Sequence, residues 1–399
     1  MAHLRIRRLP ALLATLAVVI GLTGLAQTGQ AQTGQAAANG TAAPGAYTVF
    51  NMPSGDTPDT AIEEHIVQLV NEAPEGAEIH GAMYTWTRPQ VAEALADAQQ
   101  RGVQVRLAID SEGSGGSNAK PDNEAMAVLR DANFTELVFC SGSGSNSSCI
   151  GDGDGTINHN KNFTFSATGD KQNVVLVSSH NLTSSQTKSY NNAVVLHDDQ
   201  DFYDKFVQHM GNLLAQDKDA NYYENSPVGQ ISSTASKATA HFSPRADSNG
   251  GTEPEASTDT VVDVLSTITE AEDGCSVDVA QAMFTGSRAP VADELIRIGK
   301  LGCTVRVLGG ADLSDYIIDR LGGAENVTVR GRLDPLHSKY LVLHGNIDGT
   351  AGSSMVLAGS HNLTGPALRG HDETLLTLDN DGVVADFDGN FDTLWAQAG

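Results

Sequence analysis

Residues 59–106 align with residues 259–306 without a gap. At this constant offset of 200, Asp59-Thr60 meets Asp259-Thr260, Ala82-Met83 meets Ala282-Met283, and Arg88 meets Arg288. Val91-Ala92, Leu95, Gly102 and Val105-Arg106 recur at the same spacing. The offset then falls to 178, because the first copy carries an extra "GDGDGT" and a loop between Cys140 and Cys149. It settles at 181 and holds to the end, where Phe206 and Leu213 match Phe387 and Leu394. The chain beyond its first segment is one unit written twice, so its fold is expected to repeat one supersecondary plan.

That plan reads as α/β. Ile62, Ile66 and Val70 fall at helical spacing, "AEIHGAMYTW" reads as a strand, Arg88 to Arg101 as a helix and "VQVRLAID" as a second strand. Such a βαβ unit makes its strands parallel with a right-handed crossover. "NFTFSA", "NVVLVSS" and "NNAVVLH" are further strands, and a helix over 202–214 closes the copy. The expected organisation is a signal peptide over 1–31, a flexible arm over 32–45, an N-terminal repeat over 46–225, a linker region over 226–251 and a C-terminal repeat over 252–399. The linker rests on a Ser/Thr/Ala/Gly-rich stretch, "SPVGQISSTASKATAHFSPRADSNGG".

Export is expected from the first residues. Arg5, Arg7 and Arg8 precede an apolar run from Leu9 to Leu25, with small residues following, which is the pattern of a cleaved leader. A retained anchor is the alternative. In an exported chain, four cysteines suggest two disulfides. Cys140 and Cys149 enclose "SGSGSNSS", while Cys275 and Cys303 each open a predicted strand, and neighbouring parallel strands start side by side. No Cys-x-x-Cys pair suggests zinc. With 49 acidic and 24 basic residues the net charge is −25, and losing the three leader arginines brings it near −28. So acidic a surface repels nucleic acid and anionic membranes at long range but permits a local basic pocket.

The chemistry is carried by residues that recur with the duplication. "HNK" holds His159 and Lys161, "HSK" holds His337 and Lys339, and each is followed about twenty residues later by Ser-His-Asn-Leu-Thr. On a strand, residues two apart share a face, so each imidazole and ammonium should point the same way. Ser179 and Asn181, and Ser360 and Asn362, keep the same spacing. Two copies about a pseudo-twofold axis would bring two His, two Lys and two Asn face to face. That set suits an anionic tetrahedral group: Lys and Asn donors neutralise phosphate oxygens, one imidazole attacks phosphorus, and the other moves a proton.

His-x-Lys followed by Ser-x-Asn, present twice in "HNK…VSSHNLT" and "HSK…AGSHNLT", resembles the phospholipase D superfamily of phosphodiesterases. The resemblance implies two α/β/α halves with the active site at their seam, and a phosphohistidine route that needs no cofactor or metal. It casts His159 as nucleophile and His337 as acid/base, with Lys161, Lys339, Ser179, Asn181, Ser360 and Asn362 around the phosphate. The family also places a carboxylate after Ser-x-Asn to orient a catalytic His. "GHDETLL" offers Asp372 or Glu373, whereas the first copy has the amides Asn191 and Asn192, so the two His should titrate differently. The family Asp five residues beyond each Lys is Ser166 in one copy and His344 in the other, and Ser178 stands where Gly is usual.

The expected protein is a secreted monomer, an internal pseudo-dimer that hydrolyses phospholipid headgroups or transfers them to alcohols. It would touch the membrane surface transiently, with nucleic acid disfavoured. A secreted nuclease and a non-catalytic lipid- or envelope-binding protein on the same fold are the alternatives. His180 and His361 read equally as core or substrate contacts, Trp86 as packing, and "GDGDGTIN" as a turn rather than a calcium loop.

Overall fold

In the first half, β1 (Gly45–Asn51), β2 (Glu78–Met83), β3 (Gln104–Asp110), β4 (Glu136–Cys140), β5 (Lys161–Thr168), β6 (Lys171–Ser178) and β7 (Asn191–His197) form one sheet in the order β1-β7-β6-β5-β2-β3-β4. The computed structural model describes residues 43–111, 116–249 and 255–398. The expected signal peptide and most of the expected arm lie outside them. Gly45, placed in the arm by sequence, instead opens β1 and pairs with His197 of β7.

The second half follows with β8 (Gln230–Ser233), β9 (Ala238–Ser243), β10 (Ser276–Phe284), β11 (Thr304–Leu313), β12 (Val327–Arg332), β13 (Lys339–Ile347), β14 (Thr350–Gly359) and β15 (Glu373–Leu378). Their order is β12-β11-β10-β13-β14-β15-β9-β8. From β12 to β15 this repeats the first sheet, and β9 takes the place of β1, antiparallel to the last strand of its copy. The stretch 226–251 is therefore not simply a linker. Its small polar residues hide a hairpin in which Ala238, Ala240 and Phe242 alternate inward.

The predicted βαβ units are present. β2 and β3 are parallel, as are β10 and β11, with helices Pro89–Gln100 and Ala289–Leu301 between them. Each helix places Pro in its first turn, where a missing N–H costs nothing. Both predicted disulfides close, with Cα atoms 4.6 Å apart for Cys140–Cys149 and 4.8 Å for Cys275–Cys303. Among the described residues no helix is long and apolar enough to cross a membrane.

Three cores hold the fold. Two are private, each under the βαβ helices of one half. The third is shared and runs from Val177 and Leu196 of the first sheet to Val342 and Val356 of the second. It contains the two long helices that end the copies, Gln200–Ala215 and Asp381–Gln397. Asp199 and Asn380 cap these helices by accepting from backbone N–H groups of the first turn, which sets where each begins. Phe206, Met210 and Leu213 in one, and Phe387, Phe391 and Leu394 in the other, fall at helical spacing into that core.

Phe387 joins the halves directly. Its ring lies 5.1 Å from that of Phe50 and 4.8 Å from that of Tyr340. Phe387→Ala is expected to lower the unfolding free energy by about 3–5 kcal/mol, the usual cost of emptying a buried aromatic site. Denaturant titration followed by circular dichroism measures it, and a loss below about 1 kcal/mol would show that the shared core does not hold the halves together.

Candidate active site

The two motifs lie at the junction of the halves, and each is docked on the other half by backbone. His159 N–H donates to Asp372 O at 2.9 Å, and His337 N–H donates to Tyr190 O at 2.9 Å. Asp372 N–H returns to Ile157 O at 3.0 Å and Tyr190 N–H to Pro335 O at 3.1 Å. These are two copies of one short parallel bridge, related by the pseudo-twofold. Each His sits just before its strand rather than on it, since β5 and β13 begin at Lys161 and Lys339. The Lys side chain folds back, so that Lys339 Nζ lies 2.9 Å from His337 O, and Lys161 Nζ likewise bonds His159 O.

What orients each imidazole comes from across the junction. His159 Nδ1 is 2.8 Å from Glu373 Oε1, and Ser360 Oγ donates to Glu373 Oε2. His337 Nδ1 is 3.0 Å from Asn191 Oδ1, and Ser179 Oγ donates to the same oxygen at 3.0 Å. Asn191 Nδ2 donates to Gln186 O and Ser189 O, which fixes its amide with the oxygen toward His337. Asn191 therefore takes Nδ1–H from His337, whose ring Lys339 Nζ also flanks at 3.1 Å from Nδ1 and 3.3 Å from Nε2, and an ionised Glu373 takes Nδ1–H from His159.

The sequence expectation is corrected in several places. Asn192 does not orient a His: its Oδ1 accepts from Lys339 N–H at 2.9 Å, and Asn191 is the amide that matters. Glu373 stands 182 residues after Asn191, not 181. The loop before β15 is one residue longer than that before β7, and β15 itself is one residue shorter than β7, so a constant offset misses the slip. The side chain of Asp372 meets neither His. Its carboxylate accepts from the backbone N–H groups of Ile150 and Gly151 at 3.1 and 2.7 Å and from that of Cys149. Ser179 and Ser360, expected at the phosphate, are fully buried behind Asn191 and Glu373. Asn181 and Asn362 make no side-chain hydrogen bond within the described residues, and each is slightly exposed.

The replaced family Asp positions are remote. Ser166 and His344 lie five residues down their strands, about 16 Å from each Lys at the usual rise. Ser166 Oγ accepts from Glu78 N–H, while His344 bonds Ser354 and Asp388 and pins β13 to the last helix. A side chain is tolerated at position 178 but not at Gly359. A Cβ at Gly359 would stand 2.1 Å from Thr374 O, whereas Ser178 has room and its Oγ accepts from His180 N–H. His180 and His361 are core residues, bonded to Asn51 and Arg288. Arg288 donates two hydrogen bonds to the buried Asp259 carboxylate, and Trp86 is wholly buried.

Two site neighbours carried no sequence signal. The Tyr84 ring lies 5.1 Å from that of His159 and under the Lys161 ammonium, 5.3 Å from Nζ. His371 lies 6.4 Å from His159, ring to ring. Only their place on the fold reveals them, because Tyr84 matches the buried Phe284 and His371 falls in the slipped segment.

Burial dominates the electrostatics. It lowers the pKa of His159, with Lys161, Lys339, His371 and His337 adding to the effect. It lowers His337 as well, with Lys339 and Lys161 acting in the same sense. Burial also brings Lys161 down to about 7, against the pull of Glu373 and Asp110. Lys339 is lowered by burial and by Lys161, while Glu373 is raised by burial to about 8 although Lys161, Ser360 and Lys339 oppose this. The buried Lys161 and Glu373 thus sit near the crossover between a neutral and an ionic pair. An anion in the cleft favours the ammonium form of the lysines, and an ionised Glu373 accepts Nδ1–H and leaves the His159 Nε2 lone pair free.

A profile described as "Cardiolipin synthase, PLD-like domain" matches residues 66–214 and again residues 264–395, together well over half of the chain. The chain belongs to the phospholipase D superfamily. Two matched segments on a mixed α/β frame are the duplicated architecture of that family. Among solved structures, the phosphatidylserine synthase of Haemophilus influenzae Rd KW20 is similar at 12% identity and TM-score 0.52, over 84% of each chain. A polyphosphate kinase from Porphyromonas gingivalis is similar at 14% identity and TM-score 0.56, covering 88% of this chain but only 50% of the kinase. The chain thus spans about half the length of that kinase. A phospholipase D family member, Nuc, from Salmonella typhimurium matches 43% of this chain and 95% of its own at 20% identity and TM-score 0.32. No curated protein sequence matches the chain. At such identities the structural likenesses concern the fold alone, and the family to which the chain belongs is one of phosphodiester-acting enzymes.

Glu373 binds its proton more tightly in the folded chain, so its stabilising contribution is present at low pH and is lost as pH rises through about 8. Lys161 acts oppositely, its contribution being lost as pH falls through about 7. Glu373→Gln removes the first effect and depresses Lys161 further. The melting temperature of this variant is therefore expected to gain on that of the wild type from about pH 5 to about pH 9. Scanning fluorimetry across that range checks it, and a constant difference would mean that Glu373 titrates as in water.

Proposed function

We propose that the protein is a secreted phosphodiesterase that cleaves phospholipid headgroups through a phosphohistidine on His159. The carrying observation is the unequal support of the two imidazoles, a carboxylate behind His159 and a neutral amide behind His337. Attack by His159 Nε2 on phosphorus places positive charge on the ring, and Glu373 is the group that stabilises it. His337, backed by an amide, makes the stronger acid and gives its Nε2 proton to the departing headgroup oxygen as the P–O bond breaks. In the second step His337 takes a proton from water, whose oxygen displaces His159 from phosphorus. An alcohol in place of water gives transfer instead of hydrolysis. Lys161, Lys339, Asn181 and Asn362 supply donors to the non-bridging oxygens.

The lipid reading is supported by charge: a chain at −25 opposes a polyanion, whereas a single phosphodiester needs only the local cations. Secretion is supported by the two disulfides together with the leader pattern of the first residues. A monomer is the expected state, since one chain carries both motifs.

The test is turnover by the purified protein in EDTA, with phosphatidylcholine vesicles and plasmid DNA in parallel. Headgroup release that vanishes in His159→Ala, and falls by about 10²–10⁴-fold in His337→Ala, is the expected result. A quenched reaction should hold a phosphoenzyme stable to alkali and lost in acid. DNA cleavage without lipid turnover would replace the lipid reading by the nuclease one. Full activity in His159→Ala would remove the mechanism.

A further inference from the structure

The motif residues do not account for a third histidine at the site. His371 reaches the cleft from the loop before β15, where Asp372 N–H and Ile157 O lock the backbone. Its Nδ1 lies 3.3 Å from the Ile157 backbone nitrogen, whose hydrogen it must accept. The ring is therefore the Nε2–H tautomer, a neutral donor. Burial, with Lys161 nearby, holds it in that state by pushing its pKa down to about 4. His371 also lines a cavity of about 680 Å³, with its ring 6.4 Å from that of His159. The cavity walls include Pro244, Pro366 and Thr156, and its rim carries the exposed carboxylates of Asp152 and Asp154. Arg369 borders it too, but its guanidinium donates to the backbone oxygens of Arg245, Ala246, Thr258 and Glu255.

We propose that His371 is a specificity-determining residue, whose Nε2–H holds an acceptor oxygen on an uncharged, partly apolar arm of the substrate lying in this cavity. An ester-bearing glycerol arm has that chemistry. The next phosphate of a nucleic acid does not, because it would meet two carboxylates while Arg369 on the wall is committed to backbone oxygens. The inference rests on the phosphodiesterase reading and adds to it which side chain selects the arm.

Two diesters test it: a short-chain dihexanoyl phospholipid bearing whichever headgroup the wild type releases, and bis(p-nitrophenyl) phosphate, which has no ester arm. In His371→Phe, KM for the phospholipid should rise more than kcat falls. The preference for phospholipid over the small diester should drop about three- to tenfold, the worth of one neutral hydrogen bond. His371→Gln, which keeps a donor near the Nε2 position, should recover part of that preference and serves if the Phe variant folds poorly, as judged by its melting curve. Equal losses on both diesters, or a shifted pH profile, would show that His371 acts through His159 and overturn the proposal. An unaltered preference in both variants would overturn it as well. If the wild type turned over neither diester, the phosphodiesterase reading itself would fall, an outcome distinct from the others.

Discussion

Each motif imidazole is oriented by the opposite half of the chain, and most of the architecture serves that exchange. His159 needs Glu373 and the Asp372 carbonyl, while His337 needs Asn191 and the Tyr190 carbonyl. A bond of 2.8 Å such as that between His159 and Glu373 survives only if the halves cannot shift by even a fraction of an ångström. The shared apolar core supplies this rigidity, since close-packed side chains transmit displacement rather than absorb it. The Cys140–Cys149 loop adds a polar clamp: three successive amides hold the Asp372 carboxylate, and Gly151 packs so tightly on Gly370 O that a Cβ there would stand 2.0 Å from it.

The site is electrostatically unfinished without an anion. Two lysines and three imidazoles share a buried space with the Glu373 carboxyl, and burial pushes every one of them toward its neutral form. On the proposed reading a phosphodiester brings negative charge to this space, which couples binding to the charging of the site. The same environment that makes the ground state costly makes the donors strong once the phosphate is present.

Much of this was legible in the sequence. The duplication, the βαβ units, the disulfide pairs and the four motif residues rest on local patterns, and local patterns survive translation into structure. Long-range register does not announce itself in that way. The one-residue slip between Asn191 and Glu373 is compensated within a few residues, so the gapless alignment around it looks correct. The hairpin at β8 and β9 is composed of Ser, Thr and Ala, which read as linker because their inward alternation depends on the sheet edge they cover. Tyr84 and His371 belong to the site only through the folding of segments distant in sequence from His159.

Carrying both motifs on one chain has a consequence for how such a site can diverge. In a symmetric dimer of single copies every substitution occurs twice, so both imidazoles would face a carboxylate or both an amide. Here the copies have drifted independently, to Glu373 on one side and Asn191 on the other, and to Gly359 opposite Ser178. Within one chain each imidazole can have its own kind of support, and the proposed division of attack and proton transfer requires that inequality.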